Sequence, residues 1–167
     1  MIYRVPPPDD PIDQGDLIDD CPVVSVVAYD PDNLAKIQVP VALSRVLVLT
    51  QTCDLANQKA ATAAIAVVRD AQVLVDKQQL KAADIRGLIR SGRVFGWYFL
   101  PKNAELGLPE MIVDLRQLHT ARLALLTELC RRGRRRARVQ PLYREHLAKH
   151  FADTYSRIGL PEPYDTE

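Results

Sequence analysis

Apolar positions along this chain cluster into short runs up to residue 100 and recur mainly at helical spacing beyond it, a pattern that predicts a sheet followed by helices. Residues 45–50 (Arg-Val-Leu-Val-Leu-Thr) carry no charge after Arg45 and read as a strand buried on both faces. Thr50, Gln51, Thr52, Cys53 and Asp54 form its polar exit. Upstream, Gly15-Asp-Leu-Ile18 reads as a turn feeding a short strand. Residues 22–29 are β-branched enough for a second strand, ended by the turn Asp30-Pro-Asp-Asn33. Residues 35–39 alternate, which puts Ile37 and Val39 inward and completes a hairpin with one wet face. Residues 1–14 interleave four prolines with aspartates and predict an extended, unordered lead-in.

No proline occurs between positions 41 and 100, which locates the regular core. Residues 63–68 and 73–75 are two further short strands. Asp76 then caps a helix to about Ser91 that Gly92 ends. Residues 94–100 place four aromatic rings in seven positions, an aromatic strand in which Gly96 marks a bulge or a close backbone approach. After a loop at 101–109, residues 111–115 are the last strand. Leu118, Leu125, Leu126 and Leu129 give a helix running into an arginine-rich segment that Gly133 breaks. Pro141 opens a final helix, with Leu142, Tyr143, Leu147, Phe151, Tyr155 and Ile158 at three- and four-residue spacing, and residues 162–167 are a tail. The expected fold is α+β: one domain over residues 15–161, a small, mainly antiparallel, barrel-like sheet with one intervening helix and two C-terminal helices.

Composition narrows the function classes. A hydrophobic share of 47% and a charged share of 26% are those of a globular protein. With no run near the roughly 18 apolar residues of a membrane span, and an amino terminus unlike a secretory signal, the expectation is a cytoplasmic protein. Three cysteines without a CxxC pair indicate neither a disulfide framework nor a cysteine zinc site. No GxGxxG, GxxxxGK[ST] or GxSxG occurs, so no nucleotide cofactor is implied.

The net charge of +1 hides an asymmetry: residues 1–33 carry eight aspartates against Arg4, and residues 131–149 carry seven arginines and Lys149 against Glu145. The two ends either fold against each other or meet different partners. Arg131, Arg132, Arg134, Arg135, Arg136 and Arg138 fall within eight residues, and guanidinium pairs bidentately with phosphate. The first expected function is therefore a non-enzymatic module binding nucleic acid, RNA or DNA, or an acidic protein partner. The alternative is a small hydrolase, read as a nuclease, built on Thr50, Cys53 and Asp54 with Arg45 or a histidine contributing. His146 and His150, four residues apart, lack the Glu of an HExxH motif and a third ligand, so no metal site is expected.

Gly15-Asp16, Thr50-Gln-Thr-Cys-Asp54, the aromatic strand, and the closing Pro141-Leu-Tyr-Arg-Glu-His-Leu147 to Arg157-Ile-Gly-Leu-Pro161 resemble a family of bacterial hypothetical proteins, which implies a single domain and no particular activity. The order of Gly15-Asp16 and residues 45–50 is similar to the opening of PemK and MazF toxin ribonucleases. That likeness implies an SH3-like barrel and a toxin–antitoxin or defence setting, although Val46 stands where those toxins usually have proline after the arginine.

Overall fold

The computed structural model describes residues 2–56 and 60–156. Seven strands form one antiparallel sheet in the order β1-β7-β2-β3-β4-β6-β5. They are β1 (Tyr3–Arg4), β2 (Asp16–Val24), β3 (Val41–Val48), β4 (Thr62–Asp70), β5 (Trp97–Leu100), β6 (Met111–Arg122) and β7 (Arg135–Val139). The helices are α1 (Thr52–Ala56), α2 (Ala71–Asp76), α3 (Ala82–Asp84) running into a π-helical turn (Ile85–Ile89), α4 (Leu123–Arg131) and α5 (Pro141–Tyr155). The α+β class is as expected. No helix among the described residues is long and apolar enough to cross a membrane.

The strand at the centre behaves as its sequence requires. Val46 and Val48 point into one apolar cluster with Ile18, Ile65, Leu126 and Cys130, while Leu47 and Leu49 point into another with Leu17, Val113 and Leu147. That second cluster draws side chains from all seven strands, from Tyr3 on one edge to Tyr98 and Leu100 on the other, so the sheet is strongly curled. The Tyr3 hydroxyl donates to the Pro101 carbonyl at 2.8 Å across the gap. No strand pairing joins β1 to β5, however, and the sheet is not closed into a barrel. Helix α5 covers the seam: Tyr98 donates to the Tyr143 carbonyl at 3.3 Å, Tyr155 donates to the Leu115 carbonyl, and Leu147 is fully buried.

Several elements differ from expectation. Residues 73–75 lie in α2, because the Asp70 carboxylate accepts the Gln72 N–H at 2.8 Å and caps a helix there. The expected 76–91 helix is accordingly split, resuming only at Ala82. β6 runs on to Arg122 because Leu118–Arg122 pair with Thr62–Ala66 beyond a bulge, and the helix begins at Leu123. β2 pairs chiefly with β3, and the expected hairpin with residues 35–39 survives only around the Ala28–Gln38 bridge, with Ile37 and Val39 exposed. Residues 2–14, expected as an unordered lead-in, are extended as their prolines dictate, yet lie against the fold with Tyr3 fully buried and paired to Val139. The closing residues 157–161 and the tail lie outside the described residues.

Candidate functional site

β7 carries three arginines in five residues and lies between β1 and β2, so the arginine-rich segment expected to contact a partner is partly inside the sheet. Arg135 and Arg138 are buried. Both are there because carboxylates from the amino-terminal segment meet them. Arg138 forks onto Asp16, with Nε 2.6 Å from Oδ1 and Nη2 2.9 Å from Oδ2, and its Nη1 reaches Asp10 at 2.7 Å. Burial alone would lower the pKa of Arg138, but Asp16 above all, with Asp13 and Asp10, turns the shift upward. Arg135 donates to the Asp10 carbonyl and stands 3.6 Å from Asp16, while its Nε has no hydrogen-bond partner. Arg144 of α5 adds an ion pair to Asp13 at 2.6 Å.

Gly15 makes this approach possible. Its φ of +84° suits glycine, and an added Cβ would lie 3.0 Å from the Val139 side chain, so only a bare backbone lets Asp16 come level with Arg138. Gly15 N–H also donates to the Val48 carbonyl and Gln14 Nε2 to the Leu49 carbonyl, both at 2.9 Å. The aspartate segment is thereby laid against the polar exit of β3. Asp13 joins the two: burial opposes its ionisation, but the Thr52 hydroxyl, Arg144, Arg138 and the Gln14 N–H outweigh that and hold its carboxyl below the usual range.

At the exit itself, Thr50 Oγ1 accepts the Ala64 N–H at 2.7 Å and serves the strand end. Cys53 is exposed on α1, with Sγ 3.7 Å from Gln51 Oε1 and 3.9 Å from Asp54 Oδ1. Arg45 is not part of this group. It sits several residues back along β3 and is engaged by Asp19, whose hydrogen bond and charge raise its pKa against the effect of burial. Cys21 and Cys130 are buried, and burial pushes the Cys21 thiol up to about 11.

The histidines lie on other elements. His150 is buried with Nε2 3.0 Å from the Trp97 carbonyl, and His146 Nδ1 is 3.3 Å from the Tyr98 hydroxyl, both at the α5 seam. His119 is on β6, opposite Ile65. Among the described residues, no group of three or more His, Cys, Asp or Glu is arranged to hold a metal.

The rest of the basic segment faces water. Arg131, Arg132 and Arg134 are exposed around the α4–β7 turn, where Gly133 has open space at its Cβ position. Arg132 pairs with Glu128 at 2.7 Å and Arg134 with Asp20 at 3.1 Å, both exposed pairs. Arg136, half-buried, lies 3.6 Å from Asp19 and donates to the Leu106 carbonyl. The six arginines thus divide into a buried pair and a solvent-facing set. Asp10, Asp13, Asp16 and Arg144 complete the buried network without having stood out as site residues in sequence; the opposed charge of the two ends was their signal. Comparison with protein-family models and with curated proteins gives no match to this chain.

Proposed function

We propose that the chain is a non-enzymatic binding module that contacts nucleic acid, or an acidic protein, through Arg131, Arg132 and Arg134, with Arg136 at the margin. The observation that supports this is the division of labour within the basic segment. Arg135 and Arg138 are committed to buried carboxylates, whereas Arg132 and Arg134 are held only by exposed ion pairs and Arg131 by none among the described residues. An exposed pair contributes about 0–1 kcal/mol, so a phosphate or a partner's carboxylate can displace Glu128 or Asp20 at small cost. The Gly-Asp turn leading into β2, followed by the buried β3, supports carrying the SH3-like resemblance and a toxin–antitoxin or defence setting, with a cytoplasmic location, within the same proposal.

The experiment is a gel-shift titration of labelled single-stranded RNA and duplex DNA at two salt concentrations. It compares the wild type with a variant in which Arg131, Arg132 and Arg134 become alanine; Arg135 is left intact because its side chain belongs to the core. The wild type should bind in a salt-dependent way. Losing three phosphate contacts should flatten the salt slope by about 2–3. Equal binding by the variant on both probes would remove the nucleic-acid reading.

Shortened probe in the same gel would move the hydrolytic alternative ahead. That site keeps Cys53 and Asp54 side by side at the β3 exit and has lost Arg45. Cys53→Ala or Asp54→Asn should then abolish cleavage.

A further inference from the structure

Beyond the arginines, the molecule carries an apolar surface that its own fold does not cover. β2 and β3 continue past the rest of the sheet as a two-stranded ribbon: β7 ends opposite Ile18 and β4 opposite Arg45, while β2–β3 pairing runs on to Val24 and Val41 and resumes at the bridge Ala28–Gln38. A bulge after Ile18, with Asp20 at φ +57°, marks where the ribbon departs. Nine large apolar side chains among the described residues are more than half exposed, and six of them are on this ribbon: Val24, Val26, Val27, Tyr29, Val41 and Leu43. A two-stranded ribbon with a bare apolar surface is marginal in water by itself, and clustering of this kind marks an interaction site.

The ribbon's outer edge is also unpaired. Ser25 and Val27 turn their N–H groups inward, to the carbonyls of Pro40 at 3.3 Å and Gln38 at 3.0 Å. By strand alternation those of Val24 and Val26 point outward, in line with the place where β7 stops. An antiparallel strand added there would extend the sheet beyond Arg135.

Charge indicates which strand. The ribbon tip carries Asp30, paired to Lys36 at 3.0 Å, and Asp32, whose carboxylate makes no ion pair among the described residues. The base lies at the α4–β7 turn, where Arg134 holds Asp20 and the exposed Arg131 makes no ion pair among the described residues. Antiparallel pairing of this edge with the same edge of a second chain is closed by a two-fold axis, and it brings the tip of each ribbon beside the base of the other. The spare carboxylate then faces the spare guanidinium twice.

We propose that the β2–β3 ribbon is a homodimer interface, formed by antiparallel pairing of its outer edge with that of a second copy, which lays Val24 and Val26 of the two chains side by side. The arrangement shares Arg131 with the nucleic-acid reading but does not rest on it, because it requires only the chain itself.

The test is sedimentation velocity of the full chain across a concentration series without nucleic acid, with circular dichroism confirming each variant's fold. The wild type should be a concentration-dependent dimer. Val24→Lys with Val26→Lys puts charge on the pairing edge at exposed positions and should weaken dimerisation by about tenfold or more while leaving the monomer folded. Asp32→Arg should weaken it, and adding Arg131→Asp should restore it. A wild type that stays monomeric at every concentration would overturn the proposal and leave the ribbon for a different protein. A dimer indifferent to the paired lysines would overturn it equally.

Discussion

At position 138 a guanidinium is held inside the fold by two carboxylates that reach it from the far end of the chain, Asp16 and Asp10. The geometry is of the kind in which removing one partner costs more than never having had the pair, because the remaining charge stays buried without compensation. Arg138→Met leaves Asp16, fully buried, with only the Asp13 N–H at 3.0 Å and Arg135 at 3.6 Å. We expect a loss of about 3–5 kcal/mol, a large part of the roughly 5–15 kcal/mol that holds a domain of this size together. Replacing Asp16 by Leu in the same chain should return part of that loss, since it removes the stranded carboxylate and leaves Arg135 to Asp10. Arg138→Lys should not, because a single ammonium cannot reproduce the fork onto both Asp16 oxygens. Urea unfolding at neutral pH measures all three, and a single Met variant as stable as the wild type would contradict the account.

The elements legible in the sequence are those whose partners are close in chain or uniform in kind. Residues 46–49 read as a doubly buried strand because every side chain there is apolar, whichever face it meets. The aromatic strand was marked by its rings and by Gly96, whose φ of +85° and missing Cβ make room for Arg116 stacked 3.8 Å over Trp97. α2 was not legible, since Val73 and Val75 favour a strand and only the Asp70 cap reverses that preference. β7 was the hardest case. A strand with arginines at positions 135, 136 and 138 has no apolar pattern until the aspartates more than 100 residues upstream are in place.

α5 was foreseen from its spacing, but its attachment depends on polar contacts as well as on Leu147. His150 accounts for one of them. Burial lowers its pKa, and the nearby His146 lowers it further, against the Trp97 and Val94 carbonyls and Asp153, which favour the charged form. With the folded pKa depressed below 6.5, the unfolded chain binds the proton more readily, so the contribution is complete above that value and is lost as pH falls below it. Thermal melts at about pH 7 and about pH 5 should show a drop that is smaller in His150→Gln, which can still donate to Trp97. An equal drop in both would assign the acid sensitivity elsewhere.

Across the whole molecule the opposed charges of the two ends act as a clasp. Residues 2–16 supply β1 to the edge of β7, the Tyr3 hydroxyl to the seam at Pro101, and the carboxylates of Asp10, Asp13 and Asp16 to Arg138, Arg135 and Arg144. If the acidic segment merely shielded the arginines, deleting residues 1–14 would strengthen nucleic-acid binding and leave the fold intact. The packing leads to a different expectation. The deletion removes a fully buried tyrosine, a loss of about 3–5 kcal/mol for a large aromatic, and strips Arg138 of Asp10 and Asp13 while Arg135 loses Asp10. Those losses together approach the whole stability of a single domain. The truncated chain should therefore fail to give a cooperative melt, and any gain in nucleic-acid affinity would come from an unfolded, arginine-exposing chain. Charge alone can be separated from packing by Asp9→Asn, which neutralises an exposed carboxylate in the same segment and should leave the melt unchanged. A truncated protein that melts cooperatively near the wild-type temperature would show that the clasp is dispensable.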